Sequence, residues 1–401
     1  MTDDAATASE RRPLGWRSAA LGAGVVWVAV MLAATIIMAN LPVYATSKLS
    51  WSRAAFQSAS VCTFSGFPTS WIGVSNIHLS QQWVVIVATA MSLLCAWLVA
   101  GWAMSPMAGR ARPGPWLAVG VGVMAIATAV ATMLAGPPST GAMLQDLSRL
   151  AGSGLRWDEA ADLRTLWSSA LPLAIVGLFL PYLLLTRSDA GRQFMLRAFA
   201  AAAVWFVVST AIMGTAHAAL GGSDVLKAAT MSIDGRHLGA ARYISDASAV
   251  ERWIMVALGF VGTLPGGTGG GASPLAVGVL AAAAWSGITG RPVGRVAAVA
   301  IVWIALHFTL WLGTLLCLTA TLPEVPGDRL AVLATGATSN VGVAVDHVGA
   351  VATDGFVLAL SMMLGRLLPV IMLAWLVRVW TSEIEAGKRK TPRDRGEASG
   401  Q

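Results

Sequence analysis

The sequence predicts an all-α polytopic membrane protein: eight spans in four repeats of span, loop and span about a common axis. Three observations carry that reading. Hydrophobic residues make up 56% of the 401 and charged residues 12%, with a mean hydropathy of +0.68, whereas a soluble domain carries about 25% charged residues. Eight apolar stretches have the length of a membrane span. The four longer connections between them share one pattern, a short helix followed by a glycine-bearing segment.

The apolar stretches are 19–38, 83–104, 116–134, 166–185, 198–220, 253–285, 296–318 and 356–380. The sixth has 33 residues, more than the ~20 that cross a bilayer as one helix. Its middle, 261–273, reads Val-Gly-Thr-Leu-Pro-Gly-Gly-Thr-Gly-Gly-Gly-Ala-Ser. This is one membrane helix broken at mid-depth by an unwound loop, with a loop between two short spans as the competing reading. Bare backbone at that depth is tolerated only where protein surrounds it or it lines a watery cavity, which points to a conduction path. A phosphate-binding loop is the weaker reading, because no Lys-Ser or Lys-Thr follows the glycines.

Charge sets the orientation. The flanks 1–17, 105–115, 186–197, 286–295 and 378–401 hold 16 of the 27 basic residues and 8 of the 20 acids. The alternate loops hold 10 basic residues and 12 acids. The basic side faces the cytoplasm, so both termini are expected there and the protein in the cell (inner or plasma) membrane. The expected units are a cytoplasmic N-terminus (1–15), repeats 16–108, 109–190, 191–288 and 289–382, and a cytoplasmic tail (383–401). The third repeat contains the intramembrane loop 262–273. The N-terminus is polar and acidic, without the pattern of a removable signal peptide. The basic tail reads as a solvated end that favours anionic lipid in the bilayer, with no nucleic-acid partner implied.

The external connections run to about 30–45 residues, longer than ordinary loops. Short helices are expected at 51–61, 140–150, 223–231 and 328–338, the third opened by Ser223-Asp224 as N-cap and first turn. They lead into Cys62-Thr63-Phe64-Ser65-Gly66-Phe67, Ala151-Gly152-Ser153-Gly154-Leu155, Ser232-Ile233-Asp234-Gly235-Arg236 and Ser339-Asn340-Val341-Gly342-Val343. Gly66, Gly154, Gly235 and Gly342 follow one another at 88, 81 and 107 residues, a fourfold repeat of span–pore-loop–span units whose sequences have drifted. Four such loops about one pseudo-fourfold pore axis aim backbone carbonyls at a dehydrated cation. The short helices add their partially negative C-terminal ends. The cation-site candidates are Thr63, Ser65, Gly66, Ser153, Gly154, Ile233, Asp234, Gly235, Asn340, Val341 and Gly342.

Arg366 lies about ten residues into the last apolar stretch, too deep to reach the interface. An intramembrane arginine is a functional candidate by default; carbonyls of the broken-helix loop are its expected partners, and a purely structural arginine is the alternative. Gly266, Gly267, Thr268, Gly269, Gly270, Gly271 and Arg366 are thus candidates for a gate. His217 and His307 read as packed side chains rather than metal ligands. Cys62, Cys95 and Cys317 have no metal-type spacing and read as small buried residues.

The Phe-Ser-Gly-Phe loop after the first span, the Gly-Gly-Thr-Gly-Gly-Gly break, Asn340-Val341-Gly342 and Met363-Leu364-Gly365-Arg366-Leu367 resemble the Trk/Ktr/HKT superfamily of potassium transporters. The resemblance covers 19–380. It implies a single-chain version of a tetrameric potassium channel, with Gly66, Gly154, Gly235 and Gly342 as filter glycines. It also implies 262–273 as the gating loop, Arg366 as the pore arginine, pairing into a homodimer, and regulation by a cytosolic nucleotide-binding ring. The transported ion would be K+, with Na+ the other candidate, and no further cofactor is implied. Ala272-Ser273 stand where the family usually has a lysine, and Asp234 and Arg236 flank Gly235 in a loop that is usually uncharged. A cation at Arg236 opposes strict potassium selectivity unless Asp234 neutralises it. Two other functions compete with gated uptake: secondary active transport, since broken helices also build substrate sites, and a non-conducting subunit partnering an active paralogue. No nucleophile–base set or pair of membrane-facing acids suggests an enzyme.

Overall fold

The computed structural model describes residues 15–44, 47–67, 78–108, 112–135, 140–151, 171–222, 224, 247–264, 270–340 and 355–390. The chain opens with α1 (Trp16–Asn40), which ends in a small antiparallel hairpin, β1 (Pro42–Tyr44) and β2 (Ser47–Lys48). A short helix α2 (Trp51–Thr63) and a long one, α3 (Leu79–Met104), follow. Next come α4 (Pro113–Ala135), α5 (Thr140–Leu150) and α6 (Leu171–Phe179), the last continuing as a 3-10 turn, Leu180–Arg187. The second half is built from α7 (Asp189–Ala219), α8 (Ala249–Val261), α9 (Pro274–Ile288), α10 (Arg295–Thr321), α11 (Gly327–Thr338) and α12 (Phe356–Lys390).

Two kinds of helix emerge, and burial separates them. Among the described residues five are long and apolar enough to cross a membrane: Trp16–Asn40, Leu79–Met107, Asp189–Ala219, Arg295–Thr321 and Phe356–Ala386. They leave large apolar side chains exposed, among them Leu21, Val25, Val204, Val207, Ile301 and Leu316. An apolar surface of that extent belongs against lipid. The short helices α2 and α11 do the opposite. Most of α2 from Ala54 to Thr63, and all of α11 from Leu330 to Thr338, is buried, including Ser58, Ser60, Thr63, Thr335 and Thr338. Buried hydroxyls on these helices turn back onto their own carbonyls: Thr63 onto Ala59 at 2.7 Å, Thr335 onto Ala331 and Thr338 onto Ala334 at 2.8 Å.

Local signals explain several boundaries. Ser50 caps α2, Ser188 caps α7, and Ser248 with Glu251 forms a reciprocal capping box on α8, each satisfying backbone N–H groups that the first turn leaves free. In the stretch expected as a span at 166–185, the described part is α6 and its 3-10 continuation. Pro181 accounts for the change: it has no N–H to give and its ring crowds the preceding turn.

Candidate functional site

The first and fourth loops meet. Helix α2 stops at Phe64, whose N–H returns to Ser60 and Val61 carbonyls with φ 62°, and Ser65 N donates to Ser60 O at 2.9 Å. Gly66 also has positive φ, at 69°, and Asn340, just beyond α11, has φ 53°. Left-handed backbone is routine for glycine and accessible to asparagine, but costly for phenylalanine. The strain at Phe64 is sustained by a closed network around it. Thr63 Oγ1 lies 2.7 Å from Ser65 Oγ, Ser60 Oγ donates to Phe67 O at 3.1 Å, and Trp27 Nε1 donates to Cys62 O at 2.9 Å. Ser65 and Asn340 are fully buried and lie 2.8 Å apart through their side chains.

The Asn340 amide has a second role. In the orientation that satisfies both its ends, Nδ2 donates to Ser65 Oγ at 2.8 Å and to Met362 O at 3.1 Å, and Oδ1 accepts from Arg366 N at 3.2 Å. Met362 and Arg366 are an i, i+4 pair of α12. One amide therefore joins the first loop, the fourth loop and the turn of α12 that carries the arginine. The Arg366 side chain is buried, and its guanidinium carbon sits 4.9 Å from the centroid of the Phe64 ring, a cation–π distance.

The described ends of the glycine-rich break, 262–264 and 270–273, meet between α8 and α9. Ala272 N donates to Phe260 O at 2.8 Å and Thr263 N to Gly270 O at 3.4 Å. Gly262 and Gly271 have φ 62° and 85°. A Cβ at Gly262 would lie 2.1 Å from Gly270 O, and one at Gly270 would lie 2.3 Å from Ser339 O. The break thus rests directly on the root of the fourth loop, with no room for a side chain between them. Ser273 Oγ then accepts from Leu275 N at 3.1 Å and starts α9. His307 backs the same junction: its Nε2 lies 3.1 Å from Ser339 Oγ and its ring 4.9 Å from that of Phe260.

A register hidden in the sequence emerges from close contacts. A Cβ at Gly365 would lie 2.1 Å from Thr338 O, the last residue of α11; one at Gly177 would lie 1.9 Å from Leu150 O, the last of α5. Both pairs are 27 residues apart, and the two sets are separated by 188. The same offset relates Pro181 to Pro369 and Gly154 to Gly342. The two glycine–carbonyl contacts thus recur at one spacing, and the same offset pairs Leu178 with Arg366 in sequence.

At the far end of the bundle, the first turn of α8 is tied to both neighbours. Glu251 Oε1 lies 2.8 Å from His217 Nδ1 on α7, and Arg252 Nε donates to Asp328 Oδ2 on α11 at 2.6 Å. Burial pushes both carboxyls up, but hydrogen bonds from His217 and Ser248 to Glu251, and from Arg252 to Asp328, outweigh it. Both end below the ordinary carboxylate values.

Of the sequence-predicted residues, Thr63, Ser65, Gly66, Asn340, Gly270, Gly271 and Arg366 fall in this one neighbourhood. Ser153, Gly154, Ile233, Asp234, Gly235, Val341, Gly342, Gly266, Gly267, Thr268 and Gly269 lie outside the described residues. Sequence reading named Phe64 and Gly365 only within the motifs that carry the resemblance, and it missed Trp27, Gly177 and the His307–Ser339 contact; only Gly177 had a signal, the 188-residue offset from Gly365. His217 is packed as expected but has a carboxylate partner. Cys62 and Cys95 are buried as expected, whereas Cys317 is exposed, and all three are free thiols. Among the described residues no group of three or more His, Cys, Asp or Glu comes together.

Membrane-length apolar helices around buried short helices that end in left-handed loops define an all-α polytopic membrane protein. No protein-family model matches the chain, and no curated protein matches it significantly by sequence. Among solved structures, the crystal structure of the potassium transporter TrkH from Vibrio parahaemolyticus is similar. Its TM-score is 0.62 over 92% of this chain and 86% of that one, at 17% identity. The chain has a Trk/Ktr-like fold.

Proposed function

We propose that this chain carries a monovalent cation, potassium in the first instance, across the membrane through a single-chain gated pore. The observation that supports it most is the Ser65–Asn340 contact. It joins two loops at the C-terminal ends of two buried helices, each loop leaving a helix through left-handed backbone. Carbonyls held in that way present partial negative charge to a cation that has shed its water. The second and third loops, centred on Gly154 and Gly235, complete the ring in this reading. Arg366 and the break at 262–273 form the gate below it, and transport rather than catalysis is the activity. Both termini face the cytoplasm. The pairing of two copies and control by a cytosolic nucleotide-binding ring follow from the resemblance and belong to the same proposal.

The test is flux into liposomes holding the purified chain, with potassium and sodium compared in the absence of any imposed proton or sodium gradient. Potassium uptake driven by its own gradient, lost in Gly66→Ala, is the expected result. Uptake only when a second ion gradient is imposed would make the chain a coupled transporter. No uptake under either condition, with folded protein in the membrane, would make it a non-conducting subunit.

A further inference from the structure

A cavity of about 740 Å³ lies between α7, α9, the start of α10 and the last part of α12. It is away from the loops described above, at the end of the bundle that carries the short basic connections. Its floor is made of small apolar residues, among them Ala201, Gly278 and Ala282. The volume falls within the range of small-molecule sites, about 300–1,000 Å³.

The rim carries one charge of each sign. The Arg197 guanidinium carbon lies 5.0 Å from the centroid of the Trp380 ring. Glu383, three residues on and so on the same face of α12, accepts from Arg295 N at 2.6 Å and lies against Gly294. That contact caps α10, whose N-cap Gly294 has no side chain to do so. Arg197 and Glu383 line one cavity yet form no ion pair with each other. The space separates them.

We propose that this groove is a binding site for a phospholipid with a phosphoethanolamine headgroup. The guanidinium is a planar donor suited to a phosphodiester, and the free lone pairs of Glu383 suit an ammonium that can donate N–H. The apolar floor receives an acyl chain, and Trp380 sits where an amphipathic ring is favoured, at the boundary between the two. An anionic headgroup would meet the Glu383 charge without compensation. A choline headgroup has no N–H to donate. Bound there, the lipid bridges α7 to the lower half of α12, the helix that carries Arg366.

Native mass spectrometry of the purified full chain with phosphatidylethanolamine, phosphatidylcholine or phosphatidylglycerol of matched acyl chains tests the proposal. Phosphatidylethanolamine should be retained about tenfold better than either, the difference expected of one charge-assisted hydrogen bond. Arg197→Gln should lower its retention about tenfold by the same reasoning. Glu383→Gln keeps an oxygen for Arg295 N but loses the charge, so it should abolish the preference over phosphatidylglycerol. Ala282→Trp, at an exposed position, should fill the floor and remove retention of all three, while Arg192→Gln, outside the groove, should change nothing. Equal retention of the three lipids, or insensitivity to both rim changes, overturns the proposal. So does a cross-link between two copies of Ala282→Cys in protein that retains no lipid, which would make a second copy the occupant.

Discussion

Alanine at Gly365 or Gly177 should impair transport far more than one methyl group suggests. The new Cβ would lie 2.1 Å from Thr338 O in the first case and 1.9 Å from Leu150 O in the second. Ordinary C···O contacts begin at about 3.3 Å, so roughly 1.2–1.4 Å of separation must be found. Helix α12 is not free to retreat, because the Asn340 amide holds its Met362 carbonyl and Arg366 N–H. The carbonyl at the root of the fourth loop is therefore the part that moves. Overpacking of this kind costs about 1–3 kcal/mol, and at ~1.4 kcal/mol per factor of ten that strain on the conducting arrangement lowers flux by about 5- to 150-fold. The assay is thallium uptake by liposomes with matched amounts of folded protein. Gly313→Ala is the control: it is also a helical glycine of a membrane-length helix, and nothing lies within 4 Å of its added Cβ. Parental flux and ion preference in Gly365→Ala would refute the reasoning; equal losses in Gly365→Ala and Gly313→Ala would show that the close contact is irrelevant.

Asn340→Asp removes both amide donors and places a carboxyl where Ser65 and Met362 O expect N–H; a loss of about 1–3 kcal/mol per unmade bond should lower the melting temperature in detergent together with flux. Arg366→Ala and shortening of 266–271 should raise basal flux with ion preference kept, whereas Arg366→Lys, which keeps charge but not the planar donor fork, should fall between; losses proportional to the protein inserted would assign both features to structure alone. The far-end ties make a pH prediction. Because Glu251 and Asp328 are held below their ordinary values in the folded state, their contribution is complete above the ordinary carboxylate range, about pH 4. It is lost as pH falls through the lowered folded values. Thermal stability should therefore drop on acidification in the parent and drop less in the Glu251→Gln, Asp328→Asn double variant.

Much of this arrangement was legible because membrane chains have little freedom. Length and hydropathy located the long helices, and the bounds of α5 and α11 fell where the short amphipathic stretches at 140–150 and 328–338 had placed them, to within a residue. The break at 262–273 was readable from its glycines alone, since no helix tolerates so many. Pairings over distance were not. Ser65 and Asn340 are 275 residues apart, and nothing local to either announces the other. Phe64 occupies left-handed backbone that residue preference assigns to glycine or asparagine, so its conformation follows from the surrounding network rather than from its identity. The match between 150–181 and 338–369 rests on a few positions separated by 188. Such a match gains meaning only once Gly177 and Gly365 are seen against equivalent carbonyls.

The turn of α12 from Met362 to Pro369 carries more than one demand, and the demands conflict. Asn340 bonds to the Met362 carbonyl and to the Arg366 N–H, the pair that an α-helix joins. Pro369 has no N–H for Gly365 O, and Gly365 has no side chain to pack. Pro369 thus interrupts the backbone bonding of a 35-residue helix at this turn, and bends in helices concentrate at proline. At Pro181, 188 residues earlier, the chain instead passes from α to 3-10. At Pro369 the helix continues, and the packing around it includes the bond between Ser361 and Thr314 on α10 at 2.8 Å. A displacement of the lower half of α12 would therefore be absorbed where the Asn340 amide is seated, and through it reach Ser65. On the other side Gly270 closes on the Ser339 carbonyl, at the root of the fourth loop. The seat of the Asn340 amide and the position of Arg366 are then coupled, and a substitution that shifts either should move both.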